Sequence, residues 1–116
     1  MTFTVEILLR GQEGLVSESV SYEVDPKLWT DEDVRQVLEM VLRQFDRAQQ
    51  PDSEERAVQL RGFSWIVSPV EQGVVIAIEM ASGAIVAGPF EVDSDRLTQA
   101  ITRVMASASI ASSQVH

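Results

Sequence analysis

Apolar and polar residues alternate from the first positions of this chain. Phe3, Val5, Ile7 and Leu9 interleave with Thr4, Glu6, Leu8 and Arg10, the period of two expected of a half-buried strand. The stretch Gly11-Gln12-Glu13-Gly14 supplies a turn whose glycines accept positive φ. Val16, Val20, Tyr22 and Val24 then alternate with Ser17, Ser19, Ser21 and Glu23, which predicts a hairpin with one apolar and one serine-rich face. Glu18 falls on the apolar side, near the turn end where it reaches water.

The period changes after Asp25. Thr30 is placed to accept a backbone N–H as N-cap, and Asp33 follows three residues later, at the positive end of a helix. Val34, Val37, Leu38, Val41, Leu42, Phe45 and Ala48 recur at intervals of three and four, the strongest periodic signal in the chain. Trp29, just before this helix, is expected to staple it to the core. Residues 49–60 show no strand alternation and predict a loop or a short helical turn from about Asp52.

A third strand is expected where Phe63, Trp65 and Val67 alternate with Ser64, Ile66 and Ser68, ending at Pro69 because proline cannot donate to a ladder. After Val70-Glu71-Gln72-Gly73 comes the most apolar part of the chain, Gly73 to Val92. A two-residue turn at Ser82-Gly83 predicts a hairpin that pairs Met80 with Ile85, Ile78 with Ala87, Glu79 with Val86 and Val75 with Phe90. Asp93 or Ser94 caps a last helix, whose buried stripe is Leu97, Ala100, Ile101, Val104, Met105 and Ala108. The fold class is therefore α+β, a two-layer, five-stranded antiparallel sheet with two helices in the order ββαβββα. Residues 1–109 form a single domain and residues 110–116 a flexible tail.

Composition narrows the chemistry. With 45% hydrophobic and 23% charged residues the chain is globular rather than disordered. It contains no cysteine, which removes disulfides, thiolate metal sites and cysteine nucleophiles. The net charge of −9 repels phosphate backbones and anionic lipid, so neither nucleic acid nor membrane is an expected partner. The opening residues, Met1 to Arg10, lack the basic start and small-residue cleavage site of a signal peptide, and no segment carries the ~20 uninterrupted apolar residues of a spanning helix, so a cytoplasmic protein is expected.

The sole histidine is His116, which leaves no serine triad. Asp31, Glu32 and Asp33 are consecutive, so their side chains diverge around a helix instead of converging on a metal. Asp93 and Asp95 sit where a helix start favours negative charge. No phosphate-binding glycine motif is present. No enzyme activity, cofactor or metal is expected.

The second hairpin differs from the first because both of its faces are apolar, as in strands covered on both sides. Val74, Ile76, Ile78, Met80 and Ile85 suit the helices; Val75, Ala77, Ala81, Ala84, Val86, Phe90 and Val92 also call for cover, and Glu79 alone interrupts them. Either the helices split to the two sides of the sheet, or both pack on one side and a second subunit, or a bound ligand, covers the other. Glu79 is the one carboxylate expected to be buried, unless it lies at a sheet edge or pairs with an arginine such as Arg61. Phe63 and Trp65 are read as core, or as interface anchors if their face is the open one.

The interface candidates are thus Phe63, Trp65, Val75, Ala77, Glu79, Val86 and Phe90. The element order is similar to that of profilin-like, longin/roadblock-like and PAS/GAF-like folds. Through that likeness of order the chain resembles interaction and sensing domains. The expected function is a non-enzymatic interaction or assembly module, homo-oligomeric or bound to a protein partner. The alternative is a small-molecule sensor of PAS/profilin-like shape, with its ligand between sheet and helix.

Overall fold

A computed structural model describes residues 1–50 and 60–114, with side chains as far as Ala108. The predicted residues 49–60 connection therefore falls almost wholly outside the described residues. Five strands form one antiparallel sheet: β1 (Thr2–Leu9), β2 (Val16–Ser21), β3 (Ser64–Val70), β4 (Gly73–Met80) and β5 (Gly83–Phe90). Helix α1 (Asp31–Gln49) lies between β2 and β3, and α2 (Ser94–Gln114) follows β5. The class and the order ββαβββα are as the periodicities predict. Strand order across the sheet is β2-β1-β5-β4-β3, so β2 and β3 are the edges.

Alternation in β1 is complete: Phe3, Val5, Ile7 and Leu9 are buried and the residues between them exposed. These side chains meet Val74, Ile76 and Ile78 of β4, Ile85 and Ala87 of β5, the apolar stripe of α1, and Leu97, Ala100, Ile101 and Val104 of α2 in a single core. Both helices thus lie on one side of the sheet, which decides against the split arrangement. Arg103 of α2 ties them together, donating from Nε and Nη2 to the Asp31 carboxylate of α1, each at 2.9 Å.

The start of α1 is built as its sequence predicts. Asp33 N–H donates to Thr30 Oγ1 at 3.2 Å and Thr30 N–H to Asp33 Oδ2 at 2.9 Å, a reciprocal capping box. Thr30→Ala leaves a helix-end donor without its partner and is expected to lower stability by about 1 kcal/mol, measurable as a shift of the urea midpoint at constant slope. Just before the cap, Pro26–Leu28 form a short 3-10 turn that the sequence reading missed. Its effect is to seat Trp29, whose Nε1–H donates to the Val24 carbonyl at 2.9 Å while its ring packs edge-on to Phe90 at 5.1 Å.

Three expectations change. Pro69 does not end β3 but lies within it, opposite Val74, which an edge strand tolerates because a missing N–H on its free side breaks no ladder. The β4–β5 turn is Ala81-Ser82, not Ser82-Gly83, so the register moves by two residues: Met80 pairs with Gly83, Ile78 with Ile85, Glu79 with Ala84 and Ala77 with Val86. Gly83 keeps a positive φ of 156°, but as the first residue of β5, where the Leu8 carbonyl occupies the space a Cβ would need.

The third correction is to Phe90. Between the Ile76–Ala87 and Val74–Phe90 pairs, β5 carries one residue more than β4. This bulge reverses the phase of the strand. Phe90 is thereby turned from the expected outer face into the core, fully buried against Phe3 at 4.9 Å. Helix α2 runs as far as Gln114, and residues 115 and 116 lie outside the described residues.

Candidate functional site

A two-residue shift of register preserves which side of a sheet each residue faces. The outer surface predicted for the second hairpin is therefore present up to the bulge, and among the described residues neither α1 nor α2 covers it. Its middle row runs across four strands, Glu6 beside Val86, Val86 beside Ala77 and Ala77 beside Ile66. The next row is Leu8, Ala84, Glu79 and Ser64. Val75 lies half-buried beside Ser68 in a third.

This outer surface has two characters. Over β2 and the start of β1 it presents Ser17, Ser19, Ser21, Thr2 and Thr4, and Thr2 Oγ1 lies 3.3 Å from Ser21 Oγ. Over β5, β4 and β3 it presents Val86 at 41% exposure and Ile66 at 62%, with the small Ala77 and Ala84 between and beside them. Leu8, 47% exposed, extends the apolar part onto β1. Exposed apolar residues in one contiguous patch mark interaction surfaces more often than scattered ones do.

Of the seven candidates, Val75, Ala77, Glu79 and Val86 are brought together on this outer surface. Glu79 is exposed there rather than buried, a correction that follows from the missing cover. Phe63 and Trp65 are half-buried and pack against the core from the helix side, and Phe90 lies within the core. Sequence reasoning did not single out Ile66 or Leu8, the two most exposed aliphatic side chains of the strands. Leu8 was legible as the lone apolar residue on an otherwise polar face of β1, whereas Ile66 shares its face of β3 with Ser64, Ser68 and the exposed Val70.

Polar chemistry is concentrated elsewhere, at the start of α1. The three consecutive carboxylates diverge to separate partners: Asp31 to Arg103, Glu32 to Arg35 at 2.7 Å, and Asp33 to the cap and to the Tyr22 hydroxyl, which donates at 2.6 Å. The Arg103 hydrogen bonds hold Asp31 below the usual carboxylate range, and the Thr30 backbone N–H and the Tyr22 hydroxyl do the same for Asp33. Burial, followed by the adjacent Asp33 carboxylate, pushes the Tyr22 phenol up to about 12.

A raised phenol pKa means that Tyr22 supports the fold fully below the ordinary value near 10 and that this support fades as pH rises towards 12. Because the chain has one tyrosine, an ultraviolet absorbance titration should show a single tyrosinate transition delayed to about pH 12, with stability falling across the same window. Ionisation near pH 10 in the folded protein would contradict this geometry. Asp31 and Asp33 act in the opposite direction, their contribution being lost as pH falls below the ordinary aspartate range.

Among the described residues no group of three histidine, aspartate or glutamate side chains is placed to hold a metal ion, and no helix is long and apolar enough to cross a membrane. Every buried side chain of the described core is apolar. Compared with known proteins, the chain matches no protein-family model, no curated protein and no solved structure.

Proposed function

We propose that this chain is a non-enzymatic assembly module that associates with further copies of itself through the outer surface of its sheet. The observation that carries the reading is the row Val86–Ala77–Ile66, apolar, contiguous and left bare by two helices that both pack on the opposite side. Its chemistry is that of an interface centre: aliphatic side chains flanked by alanines that let a second surface approach closely, with serines, threonines and the carboxylates of Glu6 and Glu79 at its margins. An apolar centre within a polar rim is the usual anatomy of a specific interface. Closed two-fold pairs are the commonest way for identical surfaces to satisfy one another.

The sensor alternative draws less support. The residues that would border its ligand, Ile78 and Leu42, belong to the same buried apolar core. Sedimentation velocity across a concentration series tests the assembly reading: a reversible increase in mass at micromolar concentration is expected, and a strict monomer throughout overturns it.

A further inference from the structure

The two edges of the sheet are protected unequally. β2 carries Glu18 in its middle, opposite Val5 and so on the helix side of the strand. An inward-pointing charge on an edge strand opposes pairing with another chain. β3 has no charged residue from Ser64 to Val70, and its only guard is Pro69, next to its last position. The stretch Ser64–Ser68 is left uncharged, with the exposed Ile66 at its centre.

We propose that β3 of one copy pairs antiparallel with β3 of a second copy, in the register that sets Ile66 against Ile66 and joins two five-stranded sheets into one of ten strands. The inference rests on the reading of the chain as a self-assembling module and supplies the geometry of one contact. In this register Trp65 meets Val67, Ser64 meets Ser68, and Pro69 falls just outside the paired stretch, so every paired residue retains its backbone N–H. A register displaced by two residues brings Pro69 into the pairing or shortens it.

The strand itself adds no charge to the contact. Each copy carries −9, so two copies repel until salt screens them, but β3 is neutral along its whole length and sets no carboxylate against its mate. Pairing also continues the outer row: Val86, Ala77 and Ile66 of one copy are followed by Ile66, Ala77 and Val86 of the next. Two apolar patches, each running to a sheet edge, become one patch with its edge abolished.

The test combines amide hydrogen exchange with sedimentation on the full chain, across a concentration series and at low and high salt. Alternate amides between Ser64 and Ser68 point away from β4 in a free edge. They are expected to exchange rapidly in dilute protein and to slow at least tenfold as the mass doubles, with association tightening as salt screens the repulsion. Association with no slowing in β3 overturns edge pairing and leaves the outer-surface reading intact. A monomer at every concentration removes that reading as well. Slow β3 amides already present in a dilute monomer show the edge covered by the chain itself and also overturn the proposal, and so does salt weakening the association.

The register has its own test. Ile66→Lys and Ile66→Glu are each expected to weaken association at least tenfold, and an equimolar mixture of the two to restore it, because only a self-contact at position 66 sets opposite charges side by side. Failure of the mixture to recover, with both variants folded, rejects the Ile66–Ile66 register.

Discussion

Val86→Asp is expected to abolish association through the outer surface while leaving the chain folded. Val86 lies at the centre of the outer row, opposite Ala77 on one side and Glu6 on the other. A carboxylate there would be desolvated by the second copy without a partner. An uncompensated charge in a dry contact costs about 3 kcal/mol or more, roughly two orders of magnitude in the dissociation constant. Aspartate would also stand beside Glu6, which weakens the monomer by up to ~1 kcal/mol through like-charge repulsion.

Val86→Lys separates the two effects. It pairs favourably with Glu6 in the monomer but its ammonium must still be desolvated in the contact, so the melting temperature should hold while the sedimentation coefficient falls. Glu79→Gln should behave in the opposite way, leaving association unchanged or tighter, because it removes a carboxylate from the margin of the contact. If both Val86 variants sediment as the parent does, the outer surface is not the interface.

The largest effect on the fold is expected from Phe90→Ala. Its ring is fully buried between Phe3 and Trp29, at 4.9 and 5.1 Å, and touches both the first strand and the residue that seats α1. Truncating a buried phenylalanine destabilises by about 3–5 kcal/mol, which lowers the melting temperature by roughly 10–20 °C in a chain of this length. Calorimetry reads this directly. A loss below ~1 kcal/mol would mean that Phe90 sits at the surface, as unbroken alternation along β5 implies.

Phe90 also illustrates where the fold was legible and where it was not. The α1 stripe, the β1 alternation and the capping box each depend on residues within a few positions of one another, and the local pattern determined them. Phe90 depends on an extra residue in β5 that becomes visible only when β4 is laid beside it. The register of that hairpin was ambiguous for a related reason: turns at Ala81-Ser82 and at Ser82-Gly83 leave every side chain on the same face, so hydrophobic pattern cannot choose between them. The presence of Gly83 favoured the wrong turn; its positive φ serves the approach of Leu8 instead.

The candidate surface was half legible. That Val75, Ala77 and Val86 share a face follows from their spacing. That this face is bare depends on the side taken by both helices, which no local pattern records. Ile66 shares its face of β3 with Ser64 and Ser68, and its importance emerges only from the β3–β4 register that places it beside Ala77.

The two tryptophans occupy environments different enough to act as separate optical reporters. Trp29 is sealed within the core with its indole N–H bonded, so its emission should be blue-shifted and beyond the reach of a collisional quencher until the chain unfolds. Trp65 is half-open on an edge strand, where iodide or acrylamide has access. Replacing either by phenylalanine isolates the other, so unfolding and edge occupancy can be followed in one cuvette without attaching a dye.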